Sequence, residues 1–440
     1  MNFLNLGPKR TYVPIIRIFF PILLLSFLGI LTLVSTTILP TGSLGDLEIV
    51  YKQILFVLVG GIIYVAMSTL DLSYLKHWQA ILLIYIFTLI LLIITLLFAP
   101  TINFVKRWLV IGGIQIQPSE IAKVTVILFT AVLLSKKEYF NEWVLFLLSF
   151  ILTIPFVILI YLEPDASMAL LTLLIWFFVA FLGLNNPIRN SIILIIVGCI
   201  SGSFLLTSIT GNNWWYTLMI PGIILAIFSF YSNRSWKNLA IIATVVGLLL
   251  GIFTSTIWGG LLKQYQRDRI EAFFTPEGRE GDIGFNVNQS RIAIGSGKIF
   301  GKGFGNGTQS KRNFLPEHQT DFIFASYAEE FGLVGSLFLM AIYAYLILFC
   351  LFTAVNVVDN PTLSLIAIGI AVKLLLEVFI NIGTNTGAIP ATGIPLPLMS
   401  AGGSITVMTF ICFGLIDNIS KNATEMNKEK SKSLVDIYEN

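Results

Sequence analysis

The sequence predicts an all-α, polytopic helical membrane protein, and three observations predict it. Only 12% of its 440 residues are charged, against about 25% in a soluble globular domain. Hydrophobic residues make up 56%. They gather in runs near the ~20 residues that a helix needs to cross a bilayer core with its backbone satisfied.

In chain order the apolar windows fall at 15–38, 51–69, 78–99, 119–136, 143–162, 165–184, 191–209, 215–232, 238–259, 325–354, 361–383 and 402–420. That makes about twelve transmembrane helices. The first follows Lys9, Arg10 and Arg17, is long, and lacks a small-residue cleavage site. It therefore reads as a membrane helix and not as a cleaved signal peptide. No soluble domain is inserted, since the longest polar stretch is 260–324, so 1–440 reads as a single integral membrane domain.

If every window spans, Lys9/Arg10, Lys76, Lys136/Lys137, Arg189, Arg234/Lys237 and the tail from Lys421 share one side. The positive-inside rule makes that side, with both termini, cytoplasmic. The loops 39–50, 100–118, 163–165, 210–214, 260–324 and 384–401 then lie outside. The tail 421–440 is polar with mixed charge and reads as disordered.

A net charge of +3 with no arginine-rich arm gives no reason to expect nucleic acid. Cys199, Cys350 and Cys412 all fall inside apolar runs, where thiols pack as small hydrophobes, so neither a disulfide nor a cysteine metal site is expected.

The polar residues that could carry chemistry cluster outside. In the run from Lys106 to Lys123, Pro118 suits the first turn of a helix. Glu120 and Lys123 are three apart and can pair inside the membrane, as a structural ion pair or as a functional one. Glu163-Pro164-Asp165 is either a tight turn with Asp165 capping the next helix or a pair of outward carboxylates. In 260–324, residues Leu262, Tyr265, Ile270, Phe273 and Phe274 interleave with basic residues at helical spacing, as in an interfacial amphipathic helix. Gln289 to Gln309 follows, a glycine-rich stretch whose amides could converge on a phosphate, with Lys298 and Lys302 adding charge. A flexible loop is the alternative. Asp321 comes next, at the boundary of an apolar run and beside Glu317 and His318; it can accept a proton and can hold a metal. Finally, 381–404 is irregular backbone at membrane depth, which survives only inside protein or along a cavity. Lys373 and Glu377, four apart, either pair with each other or face a partner helix.

In this order the motifs resemble the SEDS family, the RodA and FtsW peptidoglycan glycan polymerases. The resemblance rests on Arg107-Trp108, Gln117-Pro-Ser-Glu120 with Lys123, Pro164-Asp165, Gln289-Ser290, Gly295-Ser-Gly297, Gly307-Thr-Gln309, Leu315-Pro-Glu317, Thr320-Asp-Phe-Ile-Phe324, Glu329-Glu330 and Thr392-Gly-Ile-Pro-Leu-Pro397. It covers most of the chain and is nearer RodA than FtsW. Four departures stand out: an extra helix pair near 191–232, Pro-Asp-Ala-Ser at 164–167, Ser400-Ala-Gly-Gly-Ser404 where the family has Ser-Tyr-Gly-Gly-Ser, and a family histidine displaced by one, to His318.

The resemblance implies a peptidoglycan glycosyltransferase acting in cell-wall elongation and shape, with lipid II and the growing glycan strand as substrates. It implies Asp321 as the base of an inverting transfer. It also implies substrate contacts from Arg107, Trp108, Gln117, Ser119, Glu120, Lys123, Asp165, Gln289, Ser290, Lys302, Gln309 and Glu317. A divalent cation (Mg or Mn), which Asp321 could ligate, or the basic residues Lys298, Lys302 and Arg107 would stabilise the leaving pyrophosphate. The implied partner is a class B penicillin-binding transpeptidase docking along 361–383 and the 260–324 loop. A lipid II flippase, an FtsW-type division polymerase and a non-catalytic scaffold are the alternatives. Transport predicts polar groups along the whole membrane path, whereas here they crowd one face.

Overall fold

The computed structural model describes residues 15–38, 45–101, 105–186, 282–311 and 317–439, with a few isolated positions besides. The windows 191–209, 215–232 and 238–259 and the interfacial helix at 262–274 lie outside the described residues. The helices are α1 (Ile15–Thr37), α2 (Glu48–Thr69), α3 (Trp78–Phe98), α4 (Pro118–Leu134), α5 (Glu142–Leu162) and α6 (Ala166–Gly183), followed by α7 (Asp282–Ser296), a short α8 (Thr308–Lys311), α9 (Ile323–Asn356), α10 (Pro361–Thr386) and α11 (Gly403–Glu439). Among the described residues, eight helices are long and apolar enough to cross a membrane.

The chain divides into two compact units. One is Met1–Gly183, Gln289–Thr386 and Thr392–Asn440; the other is Leu184–Asn288 with Gly387–Ala391. Every site residue predicted from the sequence belongs to the first. At its centre stands α4, buried on all sides except at Ile121 and Leu133 and packed by α3, α5, α6 and α10. A helix buried all round is a core helix. Pro118 does occupy its first turn. By contrast α2 and α3 turn broad apolar faces outward, for example Leu58, Ile62, Leu83 and Leu97, as helices facing lipid do.

Two features depart from the sequence reading. Leu109–Ile111 pairs antiparallel with Ile114–Ile116 around Gly112 and Gly113, at φ +58° and +82°. Two positive-φ residues between short apolar runs make a tight hairpin, so the all-α class carries one β-hairpin. The tail from Lys421, expected to be disordered, continues α11 as helix to Glu439. Its Lys, Glu, Met and Ala residues favour helix, and extending a formed helix needs no new nucleus.

Candidate active site

Asp321 ends a tight turn, Glu317–Asp321, just before α9. Glu317 sits at φ +54°, and its carbonyl accepts from the amides of Thr320 (3.2 Å) and Phe322 (3.1 Å). Phe322, Ile323 and Phe324 are buried and anchor the turn to the bundle. Three successive carbonyls of the turn are then held by the 381–401 segment. Ala401 N donates to Gln319 O at 2.9 Å, Ser400 Oγ to Thr320 O at 2.6 Å, and both Asn381 Nδ2 and Asn385 Nδ2 to Asp321 O at 2.9 Å. The segment expected to be irregular from 381 is helical to Thr386. Asn381 and Asn385 therefore act from the end of α10, while Ser400 and Ala401 act from the irregular chain after it, and together they fix the Asp321 backbone. The carboxylate itself is half-buried, and Oδ2 would lie 3.3 Å from a Cβ at Gly393. Glycine leaves that space open.

The glycine-rich stretch packs against α9. Gly301 N donates to Gly297 O, Lys302 N to Glu329 O and Gly303 N to Glu330 O, while Leu333 N and Val334 N donate to Lys298 O and Ile299 O. The loop thus stitches onto a break in α9 at Gly332 (φ 65°, ψ −162°). A Cβ at Gly297, Gly301 or Gly332 would run into the opposing backbone. These glycines serve backbone–backbone contact, which takes up the amides of Gly301, Lys302 and Gly303.

Glu329, fully buried, holds the rest of that loop. Its Oε1 meets Lys302 Nζ at 2.6 Å and accepts from Thr308 N (2.9 Å) and Thr308 Oγ1 (2.7 Å), while Oε2 accepts from Gln309 N at 3.2 Å. Lys302, expected to add charge for a phosphate, is the ion-pair partner of Glu329 in this structure. The neighbouring Glu330 accepts from Ser35 Oγ, tying α1 to the same place.

At the same end of the bundle, Arg107 is folded over the 163–165 turn. It donates to the carbonyls of Glu163 (3.4 Å) and Pro164 and lies 3.6 Å from Asp165 Oδ2. Asp165 caps α6 by accepting from Met168 N at 3.2 Å, as the turn reading required, and also meets Gln117 Nε2 at 3.5 Å. Glu163 is buried, and its Oε1 has no hydrogen-bond partner. Burial first and the Asp165 charge second push its carboxyl up to about 9, against the opposing pull of Arg107.

Beneath lies a buried ion chain. Lys123 Nζ bridges Glu120 Oε1 (2.8 Å) and Glu377 Oε1 (2.6 Å), and Lys373 Nζ meets Glu377 Oε2 at 2.8 Å. Both sequence-local pairs form, and Lys123 joins them.

Ser119, Glu120, Lys123 and Ser290 are at most 1% exposed and pack inside the bundle. The Ser290 hydroxyl donates to Asn385 O at 2.8 Å. Trp108, Gln117, Gln289 and Gln309 are half-buried and Glu317 is exposed. The sequence reading missed Glu329, Asn381 and Asn385 as organising residues. Their signals were a carboxylate inside an apolar run and two asparagines four apart at the end of one. Among the described residues, no group of three or more His, Cys, Asp or Glu is placed to hold a metal ion.

A family model described as "Cell cycle protein", FtsW/RodA/SpoVE, matches residues 16–215 and 215–425. The chain belongs to the FtsW/RodA/SpoVE family. It is therefore a multi-pass membrane protein. Peptidoglycan glycosyltransferase MrdB of Escherichia coli (strain K12) is 31% identical over 408 residues, covering 93% of this chain and 95% of that one. Peptidoglycan glycosyltransferase RodA of Treponema pallidum (strain Nichols) is 30% identical over 417 residues, covering 90% and 95%. The family fold is also that of a solved chain from a peptidoglycan synthase complex coordinating polymerization and crosslinking (TM-score 0.65, 23% identity, 92% of this chain and 97% of that one). The rod shape determining protein RodA of Thermus thermophilus shares it too (TM-score 0.57, 23% identity, 92% and 96%).

Proposed function

We propose that this chain is a peptidoglycan glycosyltransferase that polymerises lipid II into β-1,4 glycan strands for cell-wall elongation, with Asp321 as the base. The observation that carries the reading is the half-buried Asp321 carboxylate on a backbone held at three consecutive carbonyls. A rigid base positioned before the substrate arrives is what general-base catalysis needs. Asp321 takes the proton from the 4-hydroxyl of the incoming sugar as that oxygen attacks the anomeric carbon of the growing strand. The bond from that carbon to pyrophosphate breaks with inversion, so no covalent enzyme intermediate forms. Lys298, exposed on the glycine-rich loop, is the cation open to the leaving group. A divalent ion bound at Asp321 would supply charge to the pyrophosphate, with most of its ligands drawn from substrate oxygens and water.

We place the protein in the cytoplasmic membrane with both termini inside and Asp321 outside, which the distribution of short basic loops supports. A class B penicillin-binding transpeptidase is the proposed partner, in keeping with the family resemblance. The test uses purified full-length chain with lipid II in detergent, with and without that partner. Glycan polymer forms with the parent chain and is lost in Asp321→Asn. Polymer that persists in the variant overturns the role of Asp321. Lipid movement in vesicles with no polymer from the parent chain overturns the enzyme.

A further inference from the structure

Asn381 and Asn385 stand one helical turn apart on α10, 1% and 0% exposed, so their side chains share a face. Both donate to the Asp321 carbonyl, which fills the two lone pairs that this oxygen offers. Asn381 Nδ2 also donates to Ile394 O at 2.8 Å. Ile394 follows Gly393, the residue whose open Cα side faces Asp321 Oδ2. One amide therefore fixes both the backbone that carries the carboxylate and the strand of chain against which the carboxylate lies. Asn385 locks the arrangement from the other side. Its Nδ2 also donates to Asn381 O at 2.9 Å, and its Oδ1 accepts from Ala325 N at 3.0 Å, at the start of α9.

We infer that Asn381 and Asn385 are positioning residues for the Asp321 carboxylate, with Asn381 setting its distance to the 393–394 wall. This rests on the reading of Asp321 as the base. Both side chains are buried, so the pair acts on the reaction through Asp321. Loss of orientation at a reacting centre lowers turnover by up to about 100-fold while leaving ground-state binding in place.

The experiment measures polymerisation of lipid II by full-length Asn381→Ala, Asn381→Gln and Asn385→Ala in detergent. Turnover is normalised to lipid II binding sites and followed across pH. Asn381→Ala is expected to lower kcat about 10- to 100-fold, with KM changed less than about 3-fold and the acid limb of the pH profile displaced. Asn381→Gln, which retains both donors, loses less. A structural defect that merely reduces the active fraction would leave the acid limb where it was. Asn385→Ala keeps the Asn381 donors, so it reports even if Asn381→Ala does not fold. Retained turnover, a loss with the acid limb unmoved, or equal losses in Ala and Gln overturn the inference. Asp321→Asn run alongside separates the two failures. Polymer from that variant removes the base itself, whereas an inactive Asp321→Asn beside fully active asparagine variants removes only the positioning role.

Discussion

Replacing Lys123 by methionine tests the buried ion chain most directly. The four groups Glu120, Lys123, Glu377 and Lys373 sum to zero charge, and all are at most 2% exposed. In Lys123→Met, Glu377 keeps Lys373 at 2.8 Å, but Glu120 loses its cation. Glu120 Oε2 already has no hydrogen-bond partner, so the variant leaves a bare carboxylate inside the bundle. Removing one partner of a buried pair costs about 3–5 kcal/mol. Lys373→Met is milder, because Lys123 still holds Glu377 at 2.6 Å. It loses one charge-assisted bond, worth about 1.5–3 kcal/mol. Lys123→Met combined with Glu120→Gln restores neutrality and should recover about 1–3 kcal/mol relative to Lys123→Met. Reversible unfolding of the full chain in mixed micelles gives all three values. If Lys373→Met proves as damaging as Lys123→Met, or if Glu120→Gln rescues nothing, then Lys123 is not the bridge the distances describe.

Further expectations concern the loop and the turn. Gly301→Ala forces a side chain into the Glu330 carbonyl at a φ of +80°, so it should detach 297–303 from the α9 break. Amide exchange in that segment then rises sharply, and unchanged exchange contradicts the stitching. Glu329→Ala removes the acceptor shared by Lys302, Thr308 and Gln309; exchange should rise at 302–309 while α10 stays protected. Glu163, raised to about 9, holds its proton in the fold and releases it on unfolding above its ordinary value near 4.5. Its contribution therefore falls as pH rises between about 4.5 and 9, by at most about 1.4 kcal/mol per unit. Glu163→Gln should flatten the slope of stability against pH across that window, and an unchanged slope assigns it to another group.

The features legible in the sequence were those set by local spacing. Glu120 and Lys123 three apart, Lys373 and Glu377 four apart, Pro118 in a first turn and Asp165 before α6 each adopt the expected contact, because helix geometry alone brings those atoms together. The bridge from Lys123 to Glu377 spans 254 positions, and no local pattern announces it. Nor does spacing tell a glycine that admits a phosphate from one that admits another backbone. Both need the missing Cβ, and here the second need governs Gly297, Gly301 and Gly332.

The same physics explains why Asp321 was visible while its support was not. A carboxylate beside a long apolar run is conspicuous because charge at a membrane boundary is costly. The groups that make it a competent base are backbone carbonyls and two neutral amides, which a composition reading passes over. Yet helix ends and turns inside a bundle leave carbonyls that water cannot reach. Some donor within the protein has to answer each of them. Asn381, Asn385 and Ser400 answer those of Thr320 and Asp321, and Glu329 answers the amides of Thr308 and Gln309. Satisfying the orphaned backbone and fixing the geometry of the site are here one act. A change to the buried neutral groups Asn381, Asn385 and Ser400 should therefore damage turnover more than a change to an exposed charge such as Lys52.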